Sequence, residues 1–182
     1  MKYMILSDIH GSLPALQKAL DIYRSSGCQM LCLLGDILNY GPRNGLPQGL
    51  DPKGVASLLN AMASDIVAVR GNCDSEVDQM VLPFPILADY AVIPVGNTLV
   101  YCTHGHVYHN AHLPPLMPGD ILLHGHTHVP CCEVFDTHIY MNPGSVSIPK
   151  ENSHHGYMTL EDGVFLWKDF DGELHGTYRI HV

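Results

Sequence analysis

The sequence contains no apolar run approaching the ~18 residues that a membrane-spanning helix requires. It is also poor in charge: Asp, Glu, Lys and Arg make up 15% of its 182 residues. Positive charge is scarcest, with 9 Lys and Arg against 18 Asp and Glu, a net charge of −9. A nonspecific binder of nucleic acid or anionic membrane uses a basic patch, and few residues are present to build one. No stable nucleic-acid binding and no membrane association are therefore expected. The apolar residues 1–7 meet Asp8 at once and lack the basic flank, long apolar stretch and cleavage site of a secretion signal. None of the six cysteines forms a C-x-x-C pair, so a four-Cys zinc site is not expected. Cys28, Cys32 and Cys102 flank apolar runs and read as buried, reduced thiols, which fits a cytoplasmic protein. With no repeat, low-complexity tract or linker, the expectation is one domain over 1–182.

Histidine, by contrast, is abundant. Its thirteen copies exceed Lys and Arg combined, and no run of them sits at either end. Histidine binds transition metals and moves protons near neutral pH. Apolar residues reach 46%, enough for a sizeable core and too many for a disordered chain.

Residues 1–6 predict a buried strand. Ser12 is placed to cap a helix to about residue 25, with Leu13, Leu16, Ala19, Leu20 and Tyr23 on one face and Gly27 as its stop. A strand follows over 30–34, then a Gly- and Pro-rich loop over 39–49. Asp51-Pro52 starts a second helix carrying Val55, Leu58, Leu59 and Met62, and a third strand spans 66–69. This β-α-β-α-β order implies a parallel sheet. The second half predicts strands at 91–95 and 98–103 around Gly96-Asn97, then at 121–123, 133–135, 138–141, 157–161, 164–169 and 173–180, mostly antiparallel. The two halves suggest an α/β fold of two mixed β-sheets packed as a sandwich and flanked by helices.

Five motifs each fall where a strand ends: Asp8-Ile9-His10-Gly11, Gly35-Asp36, Gly71-Asn72-Cys73-Asp74, His104-Gly105-His106 and Gly125-His126-Thr127-His128. In extended backbone, residues i and i+2 share a face about 7 Å apart, so such pairs converge on one or two metals. The glycines before Asp36, Asn72 and His126 are expected to permit sharp turns. The crevice at the carboxyl ends of α/β strands is where ligands bind. Nitrogen and oxygen donors without thiolate suit manganese, iron, zinc or cobalt. More donors than one tetrahedral ion uses imply two ions with a bridging carboxylate.

In this order the motifs resemble those of the calcineurin-like metallophosphoesterases. The chain length and the phrase Asn142-Pro143-Gly144-Ser145 resemble the small YfcE-type phosphodiesterases of that family. The resemblance implies two divalent transition-metal ions per chain, manganese first among zinc, iron and cobalt. Asp8, His10 and His128 would hold one, Asn72, His104 and His126 the other, with Asp36 bridging them. It implies attack by a metal-bridging hydroxide on a small phosphodiester. Asn72, Cys73, Asp74 and His104 would form the catalytic set. The family's usual third motif has His where Cys73 stands, leaving Cys73 as either a weak proton donor or a small residue that widens the pocket.

His106 is expected to line the site and contact substrate, and His124 to be a core histidine. His109, His112, His138, His154, His155, His175 and His181 are expected at the surface. Arg43 and Arg70 are candidate phosphate clamps. Ser145 and Ser147 do not form a nucleophile elbow. A noncatalytic metal-binding scaffold, a phosphomonoesterase or a protein phosphatase remain alternatives, and homo-oligomerisation is left open.

Overall fold

The computed structural model describes residues 1–180; His181 lies outside the described residues. The first sheet has six strands in the order β11-β10-β9-β1-β2-β3. These are β1 (Tyr3–Leu6), β2 (Met30–Leu33), β3 (Ile66–Ala68), β9 (Gly156–Glu161), β10 (Val164–Asp169) and β11 (Leu174–Arg179). The second has five, in the order β4-β5-β6-β8-β7: β4 (Tyr90–Val95), β5 (Thr98–Thr103), β6 (Ile121–His124), β7 (Cys131–Val134) and β8 (Ile139–Asn142).

Alternation along each strand separates two apolar layers. Ile5, Cys32, Val100, Cys102, Leu123, Met141, Met158, Phe165 and Trp167 form the layer between the sheets. Met4, Leu6, Leu31, Leu33, Ile66 and Ala68 point to the other face of the first sheet. There they meet α1 (Leu13–Ser25) and α2 (Pro52–Asn60) through Leu16, Leu20, Tyr23, Val55 and Leu59. On the outer face of the second sheet Tyr101 donates through its hydroxyl to the Pro115 carbonyl of a loop, at 3.1 Å. Among the described residues, no helix is long and apolar enough to cross a membrane.

Several expectations change. The second half is mostly antiparallel, as expected, but its centre is not: β5, β6 and β8 pair in parallel, with antiparallel β4 and β7 at the edges. The antiparallel strands β9, β10 and β11 instead extend the first sheet, where Tyr3 pairs with Leu160. Strand β7 starts at Cys131, two residues before its expected start. A short helix, α3 (Glu76–Gln79), held by a Ser75–Asp78 capping box, is additional. Ser12 occupies the cap position of α1 but makes no capping bond; its hydroxyl donates to the Gln48 carbonyl at 2.7 Å and ties down the 39–50 loop. Cys32 and Cys102 are buried as expected, whereas Cys28 is only half-buried.

Asp51 caps α2 as expected, accepting from Gly54 N–H at 2.9 Å. Asp51→Ala should therefore cost about 1 kcal/mol. Urea unfolding measures this; an unchanged midpoint would mean that water replaces the cap without loss.

Candidate metal centre

The strands β1, β2, β3, β5 and β6 all end at one rim of the sandwich, and each of the five motifs follows one of them. The backbone there is not extended. Asp8, His10, Asp36, His126 and His128 have φ between 49° and 68°, five of the eight described non-glycine residues in the left-handed region. Such conformations cost on the order of 1–3 kcal/mol each and persist only where the surroundings fix them. Hydrogen bonds between the first two loops do so: Asp8 N–H donates to Gly35 O, His10 N–H to Asp36 O and Gly11 N–H to Ile37 O, at 3.2, 2.8 and 2.9 Å. Alternate left-handed residues, rather than a pleat, bring the D-x-H and H-T-H side chains to one point.

The glycines act differently from the expectation as well. Gly35 turns with φ +90°, but Gly71 and Gly125 have no positive φ. They are glycine because a Cβ on Gly71 would overlap Asp36, and one on Gly125 would overlap Ser7 and Asp8.

All seven expected ligand residues converge. Nε2 of His10 and Nε2 of His128 are 3.2 Å apart, and both face Asp8 Oδ1, at 3.6 and 3.3 Å. Nε2 of His104 lies 3.1 Å from Asn72 Oδ1 and 3.2 Å from His126 Nδ1. Asp36 Oδ2 stands between the two groups, 3.8 Å from His10 Nε2 and 3.4 Å from His104 Nε2. Its Oδ1 is held by the Cys73 N–H at 2.8 Å.

Three imidazoles donate Nδ1–H to backbone carbonyls: His10 to Asn39, His104 to Leu34 and His128 to Ile148, at 2.8, 2.7 and 2.6 Å. A neutral ring anchored this way turns its Nε2 lone pair inward, as the hydrogen bond to the other ring nitrogen does for metal-binding histidines. Asp8 is positioned similarly. Its Oδ2 accepts from Ser7 Oγ at 2.7 Å and His126 N–H at 3.0 Å, while its buried Oδ1 has no hydrogen-bond partner. Lone pairs converging on an orphaned carboxylate oxygen repel one another unless a positive charge sits among them.

The proton affinities show the same demand. Burial works to raise Asp8, but the His10 and His128 rings beside its Oδ1 and the charge of His104 hold it well below the usual carboxylate range. Burial works to lower His104, yet its hydrogen bond with Asp36 and the charges of Asp8 and Asp36 push it up to about 9. His126, half-buried and beside His104, is lowered to about 4 by burial first and that neighbouring charge second. A divalent ion meets this demand better than a proton because it takes several donors at once. The donor set fits such an ion: the ligand atoms of Asp8, His10 and His128 lie within 4.8 Å of one another, as do those of Asp8, Asp36 and His104.

The remaining expected residues are distributed unevenly. Asp74 lies beneath the cluster, its carboxylate accepting from the N–H groups of Asp36, Ile37 and Gly71 at 2.8, 2.9 and 2.8 Å. It clamps the β2 and β3 loops together and does not face Cys73 by any hydrogen bond. Cys73 packs against Gly41, and burial, then Asp36, pushes its thiol up to about 12. Arg43 lines the cavity beside the cluster, about 190 Å³ in volume, with Asp36, Asn72, His126 and His128. Arg70 does not line it and faces Glu76 at 3.8 Å. His106 packs edge-on to His104 with centroids 5.4 Å apart, and its Nδ1 is buried without a partner.

His124 is a core histidine as expected, stacked on Tyr140 at 4.5 Å. His138 is a correction: it is buried, stacked on Phe135 at 4.9 Å and hydrogen-bonded to Thr137 and Asn110. Ser145 and Ser147 are not nucleophiles in this geometry; both hydroxyls donate to the Asp8 carbonyl at 2.9 Å. Sequence reasoning missed Asn44 and Lys150, which also line the cavity. The only signals for them are their places, beside Arg43 and shortly after the Asn142-Pro143-Gly144 turn.

Comparison with known proteins agrees with this geometry. A family model described as the calcineurin-like phosphoesterase superfamily domain matches residues 1–162. Phosphodiesterase YfcE of Escherichia coli (strain K12) is 49% identical over 164 residues, 90% of this chain and 89% of that protein. A solved structure of the E. coli YfcE phosphoesterase superimposes with a TM-score of 0.95 at 44% identity, covering 100% of both chains. Vps29 of Entamoeba histolytica, solved with zinc, matches with a TM-score of 0.64 at 20% identity over 100% of both chains, a likeness of fold alone.

Proposed function

The chain belongs to the calcineurin-like phosphoesterase superfamily, and from that premise we propose that it is a metal-dependent phosphodiesterase acting on small phosphodiesters. The observation that carries this is the convergence of seven ligand-type side chains from five loops into two groups sharing Asp36. Asp8, His10 and His128 would hold one divalent ion and Asn72, His104 and His126 a second, with Asp36 placed to serve both. Complete ligand positions set the chain apart from a noncatalytic scaffold of the same fold. Manganese is the first candidate, with zinc, iron or cobalt as alternatives. One domain over 1–182 carries the activity. Six free cysteines fit a reducing cytoplasm.

Bound there, divalent ions supply Lewis acidity and a nucleophile at neutral pH. The chain's own residues do the rest. Asn72 presents its side-chain amide to a phosphate in the cavity. Asp74 and Gly71 hold the Asp36 and Asn72 loops in register. The direct experiment strips metal from the protein, reconstitutes it with Mn²⁺, Zn²⁺, Co²⁺ or Mg²⁺, and assays phosphomonoesters against diesters. Diester hydrolysis that returns with metal is expected; hydrolysis of monoesters alone overturns the reading.

Cys73 makes a further difference testable. A thiol raised to about 12 is a poor proton donor to a leaving alkoxide, whereas a nitrophenolate leaves unaided. The rate should therefore depend steeply on leaving-group acidity. An imidazole, with a reference pKa of about 6.5, can protonate the alkoxide. Cys73→His should raise kcat/KM for alkyl diesters on the order of 10²-fold relative to aryl ones, and Cys73→Ser should change little. Equal slopes for wild type and Cys73→His, with metal confirmed present, would show that proton donation at this position does not limit the reaction.

A further inference from the structure

Four of the nine Lys and Arg residues sit opposite carboxylates: Lys2 with Glu161, Lys18 with Asp171, Arg24 with Asp21 and Arg70 with Glu76. Among the described residues Arg43 and Lys150 have no such partner, although acidic residues outnumber basic ones 18 to 9. Among the described residues Lys53, Lys168 and Arg179 also lack one, but none of these three lines the cavity beside the candidate metal centre. Arg43 and Lys150 both do, and among the described residues Asp36 is the only carboxylate lining it with them.

Neither is held there by chance of sequence. Lys150 N–H donates to His128 O at 3.3 Å, and Ser153 Oγ bridges the carbonyls of Lys150 and His128 at 2.6 and 3.3 Å. Glu151 and Asn152, in the left-handed region at φ 55° and 59°, complete that turn. Opposite it, Asn44 Nδ2 donates to Tyr40 O at 2.8 Å and closes the loop that carries Arg43. Two independently anchored loops thus deliver unpaired cations to one small cavity.

A simple diester carries a single negative charge. The seven converging donors include only two carboxylates, Asp8 and Asp36, so with two divalent ions the centre is already positive and needs no added cations to attract one diester oxyanion. The cavity, at about 190 Å³, is smaller than the roughly 300–1,000 Å³ typical of pockets that enclose a whole organic ligand. It suits charged groups, with the remainder of the molecule outside. We propose that Arg43 and Lys150 form a second anion subsite in this cavity, so that the substrate is a phosphodiester carrying a further phosphate near the scissile one. This rests on the phosphodiesterase reading above.

The test compares two substrates on the Mn²⁺-reconstituted protein: thymidine 5′-(p-nitrophenyl phosphate) with a free 3′-hydroxyl, and the same ester bearing a 3′-phosphate. Charge-assisted hydrogen bonds of about 1.5–3 kcal/mol correspond to about 10- to 100-fold in kcat/KM in favour of the 3′-phosphate. Arg43→Ala and Lys150→Ala should each reduce that preference about tenfold, and Arg43→Lys should restore part of it. Calorimetry gives a readout independent of turnover: thymidine 3′,5′-bisphosphate should bind more tightly than thymidine 5′-phosphate, by a margin that shrinks in both Ala variants. Equal rates on the two esters overturn the subsite and leave the phosphodiesterase reading standing. Rates that fall equally on both esters in the variants also overturn it, placing the cations on the scissile phosphate. If neither ester is hydrolysed, the phosphodiesterase reading fails, and the calorimetric margin still decides the subsite.

Discussion

Replacing Asp36 with Asn is expected to cut kcat roughly 10³-fold and to lower the metal content of the reconstituted protein. Asn is isosteric with Asp and tolerates the left-handed backbone that Asp36 adopts at φ 54°. Its carbonyl oxygen can still accept from Cys73 N–H, so the loop keeps its shape. What disappears is the negative charge between His10 and His104, 3.8 and 3.4 Å away. Every other proposed ligand serves one ion, but Asp36 serves both, so its loss is felt on both sides. Elemental analysis beside a diester assay checks this. Two ions retained, with near wild-type turnover, would remove Asp36 from the bridging role.

Asn72→Ala and His126→Ala should each lower turnover by roughly 10²-fold or more, comparable to losing one electrostatic catalytic element. Both side chains contact Nε2 of His104 and both line the cavity. Asn72 is exposed and His126 half-buried, so truncation leaves the apolar layers intact and thermal unfolding should shift little. A rate near wild type in either variant, after verified metal loading, would contradict the second-ion assignment. A collapse of the fold would show instead that these residues hold the loops together.

The parts legible in the sequence are those set by local pattern. Apolar runs mark β1, β2 and β6, Gly96-Asn97 marks the β4–β5 hairpin, and Asp51-Pro52 marks the start of α2. Pairing partners are not local. A run such as residues 121–124 shows that a strand exists, but its parallel pairing with β5 and β8 depends on how the intervening loops return. The attachment of β9 to β1 likewise joins residues more than 150 positions apart, such as Tyr3 and Leu160.

At the site, the identity and order of the candidate ligand residues are legible, whereas the means of convergence is not. Spacing shows that Asp8 and His10 are two apart, not that both sit in left-handed backbone. Gly71 and Gly125 look like turn residues, yet their value lies in room for Asp36 and Asp8, which only three-dimensional packing reveals. His138 reads as a surface residue because no motif surrounds it; stacking on Phe135 across the β7–β8 turn buries it. Lys150 carries no motif either, and reaches the cavity only because its backbone is bonded to that of His128.

The central claim is that two ions share Asp36, and the most direct measurement is a metal titration. Chelator-stripped protein receives Mn²⁺ in substoichiometric steps while bound metal and diester hydrolysis are followed together. Saturation at two equivalents per chain is expected, with activity reaching its plateau at the second and with Asp36→Asn failing to reach two. Saturation and full activity at one equivalent in the wild type would contradict a two-ion centre.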